Sequence, residues 1–134
     1  MLEENRALVC HFVDEMLNRQ NLAVIDEAIA ADFIDHDAPP DQIPGPEGVR
    51  HTFEQVQQSL TSFLVVTDDV IAEGDRVAVR HTAEATHSGS FLGFAPTGKR
   101  LRWTAIGIYR IANGRIAEHW GLMDLRALGN QLAA

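Results

Sequence analysis

The sequence is poor in several things, and each shortage excludes a class of protein. It holds one cysteine, Cys10, so no internal disulfide can form. Cys10 falls inside a helical apolar pattern, where it reads as a small buried hydrophobe suited to a reducing compartment. No apolar run approaches the ~20 residues that span a bilayer. The start, Met1-Leu2-Glu3-Glu4-Asn5-Arg6, does not read as a signal peptide, so the expected location is cytoplasmic, with no membrane partner. Positive charge is scarce as well. Eleven Lys and Arg stand against nineteen Asp and Glu, a formal net charge of −8. Such a surface repels polyanions, and no basic stripe is interleaved with aromatics, so no nucleic-acid partner is expected.

The usual chemical signatures are missing too. There is no HxH, HExxH or CxxC spacing, and His81 and His87 are too far apart along an extended strand to share a metal. There is no GxSxG, and Gly89, Gly93 and Gly98 do not lead from a strand into a helix as a phosphate loop would. Neither a metal nor an organic cofactor is expected.

What is present is one domain's worth of amphipathic pattern, residues 1–134. Leu8, Val9, Phe12, Val13, Met16 and Leu17 draw an apolar stripe along a first helix over 3–19. Asn21 can cap a second helix that buries Leu22, Ile25 and Ile29. Asp and Pro make 35–46 a loop, and Pro46 suits the first turn of a third helix, with Val49, Phe53, Val56 and Leu60 inward. The pattern then becomes extended, with strands over 63–71, 76–87, 100–111 and 115–123. Asn113-Gly114 is a strong hairpin signal between the last two. Asp124 can cap a short helix or turn that runs through Leu132. Helices followed by antiparallel strands make an α+β domain, with a hollow between the layers.

Parity decides which side chains see that hollow. Odd positions of the last hairpin give Trp103, Ala105, Gly107, Tyr109, Ala117, His119, Gly121 and Met123. Small residues among aromatics and a histidine leave room for a ligand, so this face is favoured as the pocket side. Even positions, among them Ile106, Ile108, Ile116, Trp120 and Leu122, are bulkier and suit packing against a second copy. Six histidines stand out, because imidazole exchanges protons near neutral pH without special tuning. His36, flanked by Asp35 and Asp37, is the first candidate for catalysis, and His119 is the second. His81 joins Phe12, Trp103, Gly107, Tyr109 and Met123 as expected pocket lining.

The residues that carry a family resemblance are Phe33-Ile34-Asp35-His36, Ile71-Ala72-Glu73-Gly74-Asp75-Arg76-Val77, Thr86-His87-Ser88-Gly89, Phe91 through Lys99, and Tyr109-Arg110-Ile111 with Asn113 through Trp120. With these, the chain resembles the SnoaL-like polyketide cyclases and ester cyclases of the nuclear-transport-factor-two-like superfamily. The resemblance implies a cystatin-like cone, in which a strongly curved antiparallel sheet has its concave face covered by three N-terminal helices. It also implies a homodimer through the outer sheet face and cofactor-free acid/base chemistry on a small hydrophobic organic ligand, as in an intramolecular aldol closure. The expected reaction is cyclisation, isomerisation or (de)hydration of a carbonyl compound, with His36 as general base and His119 as acid or orienter. The family's last-strand Asp is absent, since that strand offers His119, Gly121 and Met123. Phe12 and Gly107 replace the Tyr and Asp of the related ketosteroid isomerases. A ligand-binding homodimer without catalysis is the alternative reading.

Overall fold

In the computed structural model, which describes residues 1–38 and 41–134, four helices pack with one five-stranded sheet. Pro39 and Pro40 of the expected loop lie outside the described residues. Helix α1 (Leu2–Val13) runs into one wide π turn, Asp14–Asn18, and α2 (Ala23–Ala28) follows. Strand β1 (Ile29–Asp35) comes next, then α3 (Pro46–Ser59), β2 (Leu60–Glu73), β3 (Arg76–His87), β4 (Arg100–Ala112), β5 (Arg115–Met123) and α4 (Leu125–Ala133). Among the described residues, no helix is long and apolar enough to cross a membrane.

The expected cone is corrected by the sheet itself. The strand order is β1-β5-β4-β3-β2, and β1 runs parallel to β5 while the other pairs are antiparallel. The sheet is therefore mixed and open, with β1 and β2 as edges, and is neither closed nor strongly curved. The helical cover is not all N-terminal either, because α4 packs along β4. It has a physical task there. β5 pairs with β4 only from Ala105 onward, which leaves the start of β4 with a free edge. The Gln131 side chain takes that edge, donating to the Arg102 carbonyl at 2.6 Å and accepting from the Arg102 N–H at 2.9 Å. Asp124 caps α4, accepting from the Ala127 N–H at 3.0 Å.

Strand β1 is the element that the pattern hid. Ile25, Ile29 and Phe33 are four apart, a helical spacing, yet α2 ends at Ala28. Ile29 and Phe33 are buried from a strand instead. Similarly, Leu60 begins β2 and does not belong to the face of α3.

The core lies between the helices and one sheet face. Val9, Phe12 and Val13 of α1 and Val24, Ile25 and Ala28 of α2 cluster with Val77, Val79, Ala83 and Ala85 of β3 and with Leu101 and Trp103 of β4. The odd positions of β3 and β4 thus face the helices. In β5 the alternation breaks. Arg110 pairs with Glu118 but Ile111 pairs with Ile116, so Ala117 is an extra residue opposite the 110–111 step. That bulge puts Ile116 on the buried side together with His119, against the outer position expected for Ile116.

Candidate functional site

Parallel pairing of β1 with β5 sets Asp35 beside His119. The His36 N–H donates to the His119 carbonyl at 2.9 Å, which fixes the end of β1 to the middle of β5. Just beyond that point the chain turns, and the Asp37 N–H donates back to Asp35 Oδ1 at 3.0 Å. Both carboxylates now face one imidazole nitrogen. His119 Nδ1 lies 3.2 Å from Asp35 Oδ1 and 3.7 Å from Asp37 Oδ2. Asp35 and His119 are each about three-quarters buried. Burial alone would push the Asp35 carboxyl up. The hydrogen bonds from His119 and the Asp37 N–H, with the positive character of His119 and His36, outweigh it and hold Asp35 below the usual carboxylate range. Asp35 is therefore ionised at neutral pH. A carboxylate on Nδ1 makes that nitrogen the donor and leaves Nε2 with the lone pair.

The glycines that looked like ligand space make room for this ring. A Cβ on Gly121 would sit 2.8 Å from His119 Cε1 and 2.9 Å from both His119 Nε2 and Asp37 Oδ2. One on Gly107 would sit 3.1 Å from His119 Nε2. The imidazole thus lies over two bare backbone positions.

His119 and Tyr109 stand at the junction of two spaces. On one side is an open groove of about 560 Å³, also lined by His81, Ala105, Gly107, Gly121 and Met123. On the other is a small cavity of about 130 Å³ between the sheet and the helices, walled by Phe12, Phe33 and Phe53 among others. The Tyr109 ring tilts against His119 with centroids 4.7 Å apart. Burial, with the charges of Asp35 and Asp37, pushes the Tyr109 phenol far up, so it remains a neutral donor. His81 meets Thr67 Oγ1 through Nδ1 at 3.2 Å. Its pKa is pushed down by burial, opposed by Asp68 and lowered further by the charge of His119.

The His81 shift sets a stability test. A folded pKa below the ordinary ~6.5 means that the folded state binds fewer protons than the unfolded state in the window beneath that value. The contribution of His81 is complete above pH ~6.5 and is lost as the pH falls. The melting temperature of the native chain should fall between pH 7 and pH 5 more steeply than that of His81→Gln. Equal slopes would rule out this source of acid sensitivity.

The structure does not bring the His36 and His119 rings together. The His36 ring stacks on Trp120, centroids 4.6 Å apart and planes 2° apart, and its Nε2 meets Glu118 Oε1 at 3.1 Å. Glu118 and Trp120 alternate with His119 along β5, so His36 lies on the opposite face. There Arg110 also bonds Glu118, and the Arg76 guanidinium lies 4.8 Å over Trp120. Of the other expected lining residues, Phe12 walls the small cavity, and His81, Gly107, Tyr109 and Met123 line the groove. Trp103 is buried in the core, edge-on to Phe63 at 6.3 Å, and lines neither. Asp35 and Asp37 were legible only as neighbours of His36. Their partner, His119, is more than 80 residues away along the chain, 84 from Asp35. The same trio, Asp35, Asp37 and His119, offers ligand atoms all within 4.8 Å of one another, close enough to hold a cation where the Nδ1 proton now sits.

The family description of the SnoaL-like polyketide cyclases matches residues 7–132. Among solved structures, TsrD from Streptomyces laurentii is 27% identical with a TM-score of 0.86, over 96% of this chain and 97% of that one. AclR from Streptomyces galilaeus, described as a putative hydroxylase, is 28% identical with a TM-score of 0.85, over 99% and 98% of the two chains. IdmH from Streptomyces antibioticus, described as a putative polyketide cyclase, is 28% identical with a TM-score of 0.82, over 97% and 99%. No curated protein matches the chain significantly.

Proposed function

The chain belongs to the SnoaL-like polyketide cyclase family, and from that premise we propose that it is a cofactor-independent acid/base enzyme for a small hydrophobic carbonyl compound. Ring closure by intramolecular aldol addition is the reaction that the site suits best, and isomerisation or (de)hydration would use the same proton transfers. One observation carries the reading. The Asp35–His119 pair presents Nε2 to the junction of the groove and the cavity, with a neutral phenol beside it.

His119 Nε2 takes a proton from the carbon next to a substrate carbonyl. The C–H electron pair becomes an enolate, whose oxygen accepts a hydrogen bond from Tyr109 O–H. The imidazolium that forms is balanced by Asp35, with Asp37 close by. The enolate carbon then attacks a second carbonyl of the same molecule, making the ring bond. The new alkoxide takes the proton back from Nε2, so the enzyme returns to its starting state with no net change in protons. In this scheme the general base is His119, its orienter is Asp35, and His36 braces the far side of the sheet through Glu118 and Trp120.

Turnover across a panel of linear poly-β-ketones and hydroxyketones tests the proposal. Native protein and His36→Gln should form product at rates within about threefold of each other, and His119→Gln should form none above background. Ligand-dependent thermal stabilisation without product from any member would favour a binding module instead.

We also propose that the outer face joins two copies. Ile106 and Leu122 are 55% and 83% exposed there, and Ile108 extends the patch. Light scattering at micromolar concentration should return a dimer mass, and Leu122→Lys should return a monomer. A monomeric native chain would contradict this.

A further inference from the structure

The groups gathered at Nδ1 of His119 make a ligand set as well as a hydrogen bond. A zinc-like ion bound by nitrogen and oxygen at ~2.0–2.2 Å in tetrahedral geometry holds its ligand atoms roughly 3.3 Å apart. His119 Nδ1 is 3.2 Å from Asp35 Oδ1 and 3.7 Å from Asp37 Oδ2. All three ligand atoms lie within 4.8 Å of one another. An ion in place of the Nδ1 proton therefore asks only for a small movement of Asp37. The other ligands are already set. Asp35 and His119 are each about three-quarters buried, and the Asp37 N–H fixes Asp35 Oδ1 from behind. Asp37 and His119 both line the open groove, which gives an ion its way in and leaves room for a water at its remaining position. The two carboxylates cancel a charge of +2. The imidazole nitrogen selects against Mg2+ and Ca2+, which take oxygen ligands, and in favour of an ion such as Zn2+.

We propose that Asp35, Asp37 and His119 form a binding site for a divalent ion of the zinc kind, and that the ion switches the catalytic site off. Its effect on turnover rests on the acid/base reading above. A neutral imidazole carries one N–H. When the ion takes the Nδ1 lone pair, the proton leaves Nδ1 and, by way of water, settles on Nε2. The ring stays neutral and no proton is lost overall. Nε2 then has no lone pair with which to take a substrate proton. Asp35 becomes a ligand of the ion and no longer orients the ring. The metal-free chain is thus the active form, and the ion is a reversible inhibitor that acts through the tautomer of His119.

Zn2+ is the probe. Titrated into the native chain at neutral pH and followed by nitrogen-15 NMR of the histidines, it should bind once per chain. Nε2 of His119 should change from a bare to a protonated nitrogen, and Nδ1 should lose its proton. Mg2+ in large excess should move neither. Asp37→Asn and His119→Gln should each weaken Zn2+ by about a hundredfold, at least the loss that removal of an outer-shell partner brings. Deuteration of cyclopentanone in D2O by the native chain should fall to the buffer rate when Zn2+ saturates the site, and recover on addition of EDTA. Zn2+ that leaves the His119 nitrogens unchanged, that settles on His36 and Glu118 instead, or that binds Asp37→Asn as tightly as the native chain would overturn the site. Undiminished deuteration with the site loaded would overturn the switch. The tautomer change on Zn2+ in a chain that deuterates no ketone would support the site and count against the catalytic reading alone.

Discussion

Replacing Asp35 with asparagine should lower kcat/KM by about 10³- to 10⁴-fold with little change in fold. An asparagine is nearly isosteric, but it carries no charge and can present an NH2 to His119 Nδ1. That forces Nδ1 to accept and places the imidazole proton on Nε2, the atom that must take the substrate proton. The same substitution in the Ser-His-Asp triad costs about 10⁴-fold for this reason. The imidazolium formed in the reaction also loses its ionised partner, since Asp35 is held below the usual carboxylate range. The acid limb of the native rate therefore should not reflect Asp35 until the pH is below that range. Rates within threefold of native for Asp35→Asn, in a protein with native circular dichroism, would contradict the pairing as the source of basicity.

The second large effect comes from one methyl group. Gly121→Ala should cost about 10²-fold in kcat with a much smaller change in melting temperature. The added Cβ would meet His119 Cε1 at 2.8 Å and Nε2 and Asp37 Oδ2 at 2.9 Å. All three are side-chain atoms that can swing aside, so the fold survives and the imidazole is displaced. Misplacing a catalytic group by about 1 Å costs on the order of 10²-fold. Gly107→Ala, with its nearest contact at 3.1 Å to Nε2, should have a milder effect. Gly129→Ala in α4 meets nothing within 4 Å and should leave the rate unchanged. It should also stabilise the chain by roughly 0.5–1 kcal/mol through helix propensity. Steady-state kinetics and thermal melts on the three variants check the order. A Gly121→Ala enzyme as fast as native would mean that the ring position over Gly121 does not matter.

The extent to which this could be read from the sequence follows the range of the interactions. Asn113 and Gly114 both adopt positive φ, +52° and +73°, and make the hairpin that their dipeptide announces. Pro46 opens α3 as its fixed φ suggests. These are local signals, decided within a few residues. The failures are non-local. β1 exists because β5 offers it a partner some 85 residues later, and the four-residue spacing of its apolar residues mimics a helix. The bulge at Ala117 has no glycine or proline to mark it, yet it resets the parity of Ile116. The resemblance brought a cone of strongly curved antiparallel sheet that the open, mixed sheet does not form.

The site repeats that division. His119 and its small neighbours were visible as one strand face. Asp35-His36-Asp37 was visible as a cluster but assigned to itself, since adjacent residues are the only partners that a sequence displays. In the fold, alternation turns the His36 ring to Glu118 and Trp120 and leaves the carboxylates for a histidine on another strand. The apparent vacancy at Gly107 and Gly121 is the footprint of an imidazole.

The central claim is that His119 Nε2 removes a proton from carbon beside a carbonyl. Exchange of α-hydrogen for deuterium in small ketones dissolved in D2O, followed by NMR, reads that step with no need for the natural substrate. The native chain should deuterate cyclopentanone catalytically at neutral pH, in the presence of EDTA as well as without it, while His119→Gln and Asp35→Asn should not exceed the buffer rate. Deuteration that persists in His119→Gln, or that disappears from the native chain when EDTA is added, would contradict the account.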